Sequence, residues 1–284
     1  MRIDLHTHSD VSDGTDAPAD LVAHAAAAGL DVIALCDHDT FDGLPEAQDA
    51  GRRLGIEVVP GLEMSTLEGR TSVHLLAYGC RTDDPALLAE LARIREGRRR
   101  RMPEMLTKLA VLGYPITAQE IAAQAGDATS WGRPHVADAL VARGYFVNRD
   151  EVFATLLADD GPAYVDRYAT PLPDALALVT AAGGVPVLAH PWGRTSRRVL
   201  PPARLAELAR LGLAGLEAHH TDHDAATEAE LTHLAAALGL LVTGGSDHHG
   251  VGKTHNPLGV RTTAPEQYEQ LRLRLASARA ATGA

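Results

Sequence analysis

Seven short apolar runs rich in Val, Ile and Leu recur along the chain, at 2–7, 31–36, 56–61, 73–78, 185–189, 213–217 and 239–244, each closed by Gly, Pro or a polar residue. Runs this short and continuously apolar predict strands buried on both faces, since half-exposed strands would alternate apolar and polar positions. Between most of them lie Ala- and Leu-rich segments with helical period, at 17–28, 43–54, 172–182, 202–211 and 225–238. Strand-helix alternation of this kind predicts an α/β chain with a parallel sheet, and seven units suggest a closed or nearly closed barrel. The alternation breaks once, over roughly 85–170, where several helical patterns occur without a convincing strand. The expected architecture is a TIM-like (β/α)7 barrel, residues 1–84 and 170–284, carrying an inserted helical subdomain at 85–169. Insertions at the carboxyl ends of barrel strands commonly serve as lids or specificity elements. A last helix is expected at 264–281.

The same pattern puts imidazoles and carboxylates at strand ends. His6 and His8 are one residue apart, so a strand points them to the same side, and Asp13 follows in a loop ending at Gly14. The second strand ends Cys36-Asp37-His38-Asp39, the third Gly61-Leu62-Glu63, the fourth starts Val73-His74, and the fifth ends Ala189-His190-Pro191. In Gly244-Gly245-Ser246-Asp247-His248-His249, Asp247 and His249 share a face and His248 turns away. A lone His is ordinarily a satisfied core or surface residue; acids and imidazoles at the ends of separate strands can converge. Six histidines and three carboxylates exceed what one four- or six-coordinate ion uses, so two or three divalent cations are expected. So much imidazole makes magnesium alone less expected, since that ion prefers oxygen ligands and retained water.

Composition narrows the class. With 284 residues, 45% of them hydrophobic and 22% charged, the chain can bury a full core. A net charge of -11 argues against a general nucleic-acid binder. Two cysteines, Cys36 and Cys80, make no disulfide framework, and neither a basic-then-apolar leader nor a membrane-length run is present. A cytoplasmic enzyme without membrane or obligate protein partner is the expectation.

The motifs MRIDLHTHSDVSDGT, ALCDHDT, GLEMS, VHLLAYG, GRPHVADAL, VLAHP and GGSDHHG together resemble the PHP (polymerase and histidinol phosphatase) superfamily. The likeness is strongest to its 3',5'-nucleoside bisphosphate phosphatases and RNA 5'-to-3' exonucleases. It implies a distorted seven-stranded barrel with a trinuclear site holding manganese, zinc, iron or magnesium: His6, His8, Glu63 and Asp247 for one ion, bridging Glu63 with His74 and His190 for the second, and Asp13, His38 and His249 for the third. Cys36, His248 and His219 depart from the residues usual at those positions.

Such a site would hydrolyse a phosphate ester by in-line attack of a metal-bridging hydroxide, without a nucleophilic Ser or Cys. The implied partner is a small phosphorylated nucleotide, 3',5'-bisphosphorylated for preference, or short RNA. Arg133 and His135, where Thr129-Ser130-Trp131-Gly132-Arg133-Pro134-His135 enters a helix, are candidates to hold a second phosphate, against an ordinary helix start with an exposed Arg. His220 and His223 are candidate contacts or proton donors to the leaving oxygen, against plain exposed loop residues. The run Arg98–Arg101, with Arg93 and Arg95 before it, reads as a solvated helix face more readily than a strand-binding cradle, and Trp131 as packing at least as readily as a base platform. Histidinol-phosphate hydrolysis and a non-catalytic metal-binding module are the remaining alternatives.

Overall fold

A computed structural model describes residues 1–126, 128, 131–159, 161–193 and 196–282. The first half runs β1 (Ile3–Thr7), α1 (Pro18–Ala27), β2 (Val32–Leu35), α2 (Leu44–Leu54), β3 (Glu57–Glu68), β4 (Thr71–Tyr78), α3 (Pro85–Val111), α4 (Ala118–Ala125), α5 (Arg133–Ala142) and α6 (Arg149–Val152). It continues with β5 (Thr170–Pro171), α7 (Leu172–Ala181), β6 (Val185–Ala189), α8 (Pro202–Arg210), β7 (Gly215–His219), α9 (Ala225–Leu238), β8 (Leu241–Gly244) and α10 (Pro265–Thr282). All seven expected strands are present, joined by the two-residue β5, which pairs with β3. Among the described residues no helix is long and apolar enough to cross a membrane.

The strand order is β1-β2-β3-β4-β6-β7-β8. An entirely parallel sheet was expected, but β4 runs antiparallel to both β3 and β6. β3 runs on to Glu68 and turns back through Gly69, at φ 62°, and Arg70. A two-residue connection leaves no chain for a crossover helix, so the strands must pair antiparallel. The reversal has a consequence for chemistry: the start of β4 lies at the same barrel mouth as the carboxyl ends of its neighbours, with His74 opposite both Ser65 and Ala189.

Between β1 and β8 the barrel is bridged at Thr7 and His248, with Asp247 N–H donating to His6 O at 2.8 Å and His8 N–H to His248 O at 2.9 Å. A Cβ on Gly245 would stand 2.3 Å from His6 Cβ, so this approach requires glycine. The barrel is thus nearly closed.

Three apolar clusters stabilise the molecule. One, with Ile3, Leu5, Ala34, Leu76, Tyr78 and Val187, draws on strands and their flanks plus Tyr268 and Leu271 of α10, and so lies within the barrel with α10 across one end. The second joins strands to flanking helices through Leu21, Ile33, Leu62, Leu176, Leu205 and Leu231. The third is the insertion's own, including Met105, Leu109, Ile121, Val136 and Leu140. Helix α3 contributes Leu87, Leu91 and Ile94 to the second and Met102, Met105 and Leu109 to the third. At about 1.5 Å per residue it is a beam about 40 Å long tying insertion to barrel.

Candidate metal centre and the arginine wall facing it

The end of β1 brings His6 Nε2 and His8 Nε2 to 3.0 Å. Glu63 Oε2, from the middle of β3, lies 3.4 and 3.3 Å from them, and Asp247 Oδ1, just past β8, 3.7 and 3.4 Å. A tetrahedral ion with bonds of about 2.0–2.2 Å sets its donors about 3.4 Å apart, so this quartet fits one divalent cation. Glu63 also faces a second set: Oε1 is 2.8 Å from His74 Nδ1 and 3.1 Å from His190 Nε2, and Oε2 is 3.2 Å from His38 Nδ1. Asp13 reaches His249 Nε2 at 3.1 Å and His38 Nε2 at 3.6 Å. The donor atoms of His8, Asp13, His38 and His249 all lie within 4.8 Å of one another, as do those of His38, Glu63 and His74. Buried oxygens and imidazole nitrogens facing inward at these spacings are a donor set suited to divalent ions.

The frame around the donors is tied by buried carboxylates. Asp37 accepts hydrogen bonds from Ser9 N–H, Ser9 Oγ and Ser12 Oγ, fixing the loop that carries Asp13. Asp4 accepts from Ser246 N–H and Gly259 N–H, fixing the segment that carries Asp247. Asp39, His190 and Asp247 have φ of 58°, 29° and 53°, a left-handed conformation that costs about 1–3 kcal/mol in a non-glycine residue. Such strain persists only where surrounding contacts impose it.

Burial drives the carboxyl of Glu63 up, but the imidazoles of His74, His38 and His6 outweigh it and hold the group well below its usual range. Burial is likewise overcome at Asp13 by His38 and His249, and at Asp247 by Lys253 and His249. All three carboxylates therefore stay ionised. At His38 burial prevails over Asp13 and Glu63 and brings the ring down to about 3, so it stays neutral with a lone pair to offer. At His8 burial is outweighed by hydrogen bonds with Asp247 and Glu63, and the value rises to about 9.

Seven of the nine donors, all but His6 and His8, line a cavity of about 480 Å³; Lys253 lines it beside Asp247, and the insertion supplies Arg98, Arg101, Arg133, Arg149 and Arg167. Arg98 pairs with Asp39 at 2.9 Å, Arg133 with Asp159 at 2.7 Å, Arg149 forks onto Asp138, and Lys253 pairs with Asp247. Arg101 has no such counter-charge. It is 5% exposed, and its Nε finds no acceptor among the described residues. Burial, then Arg167, Arg133 and Arg98, push its guanidinium well below the usual value. A buried guanidinium lacking an acid partner, set among other guanidiniums, forms a site for a bound anion.

All nine residues expected as ligands meet at this mouth, His74 through the reversal of β4. Arg133 lines the cavity, but His135 does not: it is buried with Nδ1 accepting Gly132 N–H, in the manner of a helix cap. His220 and His223, expected as substrate contacts or proton donors, do not line it either. His220 is fully buried, with Nε2 3.2 Å from Asp247 Oδ2 and Nδ1 accepting Asp222 N–H, while His223 Nδ1 lies 2.9 Å from Ala218 O. The loop after β7 folds inward and buries both rings.

The reading of Arg98–Arg101 as a solvated face needs correction too. Arg98 and Arg101 are buried on the cavity side, one helical turn apart, whereas Arg99 and Arg100 are exposed and pair with Glu96. Their stripe continues through the buried Met102 and Met105, which is the sequence signal for an inward face. Arg149, Arg167 and Lys253 carried no periodic signal. Trp131 packs on the insertion's core, and Thr129 and Ser130 lie outside the described residues. Of the departing positions, Cys36 is buried, His248 faces Asn256 O, and His219 pairs with Glu228.

The profile of the PHP domain family matches residues 4–112. The phosphoribosyl 1,2-cyclic phosphate 1,2-diphosphodiesterase of Eggerthella lenta is 34% identical over 88% of this chain and 95% of its own. The 3',5'-nucleoside bisphosphate phosphatase of Chromobacterium violaceum is 34% identical over 91% of this chain and 90% of its own. A 5'-3' exoribonuclease of Haemophilus influenzae is 37% identical over 67% and 69%. A solved amidohydrolase from Chromobacterium violaceum with bound sulfate superposes with a TM-score of 0.89 at 32% identity, covering 96% of this chain and 97% of that one. A Bifidobacterium adolescentis structure described as a metal-dependent phosphoesterase gives 0.91 at 36% identity, covering 96% of each.

Proposed function

The chain belongs to the PHP family and is a metal-dependent phosphoesterase, and from that premise we propose that it hydrolyses a phosphate ester on a ribose that carries a further phosphate, most simply a 3',5'-bisphosphorylated nucleoside. His6, His8, Glu63 and Asp247 would hold one divalent ion, Glu63 with His74 and His190 a second, and Asp13, His38 and His249 a third. Ions there would supply Lewis acidity toward the phosphoryl group and acidify water, as ester hydrolysis near neutral pH requires. The three carboxylates stay ionised and would anchor the ions, and neutral His38 would offer them its one ring-nitrogen lone pair.

The observation that carries the substrate class is the opposite wall. Arg101, with Arg133 and Arg167 beside it, presents buried positive charge into the cavity the donors line, and Arg101 has no acid partner among the described residues. A second phosphate supplies that charge, and it would hold the ribose so that the scissile ester lies at the donor cluster. Both the nucleoside bisphosphate and the phosphoribosyl cyclic phosphate of the relatives' names fit this description. A 5'-phosphorylated RNA end is the second reading, favoured by the exoribonuclease relative.

The test is to strip the protein of metal, reload it with manganese, zinc, iron or magnesium, and compare substrates. A 3',5'-bisphosphate should exceed the corresponding 3'-monophosphate in kcat/KM by roughly tenfold or more, the worth of one lost charge-assisted hydrogen bond, and metal-free protein should be inactive. Equal turnover of the two would remove the second-phosphate assignment. Release of mononucleotides from a 5'-phosphorylated oligomer would select the exonuclease reading.

A further inference from the structure

Glu217 sits near the middle of β7, fully buried, and belongs to none of the three donor groups. Its Oε1 lies 2.9 Å from His6 Nδ1, and its Oε2 accepts the backbone N–H of His190 at 2.9 Å. We infer that Glu217 is a positioning residue for the metal centre: one carboxylate fixes which nitrogen His6 offers and holds His190 in its left-handed backbone conformation. The inference rests on the metal-centre reading above.

The argument is one of donors and acceptors. A backbone N–H can only donate, so Oε2 is committed to His190. An ionised carboxylate can only accept, so His6 must present Nδ1–H to Oε1, which leaves the Nε2 lone pair pointing at His8 Nε2, Glu63 and Asp247. His190, at φ 29°, then places its Nε2 3.1 Å from Glu63 Oε1, and the His6 and His190 rings lie nearly parallel, 10° apart with centroids at 5.9 Å. Glu217 therefore governs a ligand candidate from each of two sets.

Replacing Glu217 by Gln keeps the shape and breaks this logic, because an amide has one acceptor. If its oxygen serves His190, its NH2 faces His6 Nδ1 and forces the hydrogen onto Nε2, where it blocks coordination. If the oxygen serves His6, the NH2 meets the His190 N–H and the strained residue loses its support. Glu217→Gln should therefore lower affinity for the tightest-held ion by roughly 10- to 100-fold, read by elemental analysis and chelator competition. Its kcat should recover in excess metal with KM little changed, which a merely destabilised barrel would not show.

Wild-type ion content and chelator resistance in Glu217→Gln would overturn the inference. Should that variant fail to fold, ring nitrogen correlation spectra of the zinc-loaded wild-type protein decide it: His6 protonated at Nδ1 with Nε2 on the metal is expected, and the opposite arrangement overturns it. A wild-type protein that took up no divalent ion would instead overturn the metal-centre reading itself.

Discussion

The cavity has two walls built on opposite electrostatic terms. On the barrel wall every buried charge faces a complement: Glu63 meets five imidazoles, Asp13 two, and Asp247 a lysine and several imidazoles. On the insertion wall Arg98, Arg133 and Arg149 are paired, but Arg101 is buried and repelled by its neighbours. The first wall is complete once cations neutralise its carboxylates; the second is complete only with an anion. A ligand that satisfies both must be an anion able to reach metal at one end and guanidinium at the other, which selects phosphorylated compounds and, among them, those with phosphates at two positions.

Removing the shared ligand should break the barrel wall outright. Glu63→Ala loses an oxygen to each of two donor sets, and kcat should fall about a thousandfold or more with loss of bound ion; elemental analysis beside a steady-state assay checks it, and near-wild-type turnover would refute the assignment. The insertion wall should respond selectively. Arg101→Ala should lower kcat/KM for a bisphosphorylated nucleoside roughly 10- to 100-fold and change hydrolysis of a simple aryl phosphate by less than about threefold. Arg100→Ala, one residue away but exposed and paired with Glu96, should change neither by more than about twofold. If the two variants behaved alike, the contrast between walls would be lost.

The smallest effect is in pH. In the metal-free protein burial depresses His8 but its hydrogen bonds to Asp247 and Glu63 prevail, raising it from 6.5 to about 9. The bound proton therefore stabilises the metal-free fold fully below about 6.5, and that contribution is lost as pH rises through about 9. A metal ion needs the unprotonated ring, so uptake should release this proton. Apparent affinity should climb with pH, by less than about tenfold per unit for this one proton. Calorimetry in buffers of differing ionisation enthalpy would read the proton; a pH-independent affinity would show that His8 is not displaced from its proton by metal.

Much of the donor wall was legible because local periodicity determines it. Two-residue alternation orients His6 with His8 and Asp247 with His249 whatever the rest of the chain does. His74 was legible as a strand residue, yet its place at the mouth depends on the turn at Gly69 and Arg70 that reverses β4. Glu217 was passed over, because a carboxylate in an apolar run gives no sign of which histidine it will meet.

The order of apolar and polar positions, by itself, determined the strands, the helices between them and the donor types each strand would bring, since φ/ψ preferences and side-chain alternation act over a few residues. Only the tertiary structure decided that Arg98 and Arg101 share a cavity with the donors, that Arg167 and Lys253 line it too, and that His220 is sealed behind Asp247. The reason is that the energy of a buried charge depends on what stands across the cavity from it. In this chain those neighbours are separated by tens to hundreds of residues, and folding alone brings them together.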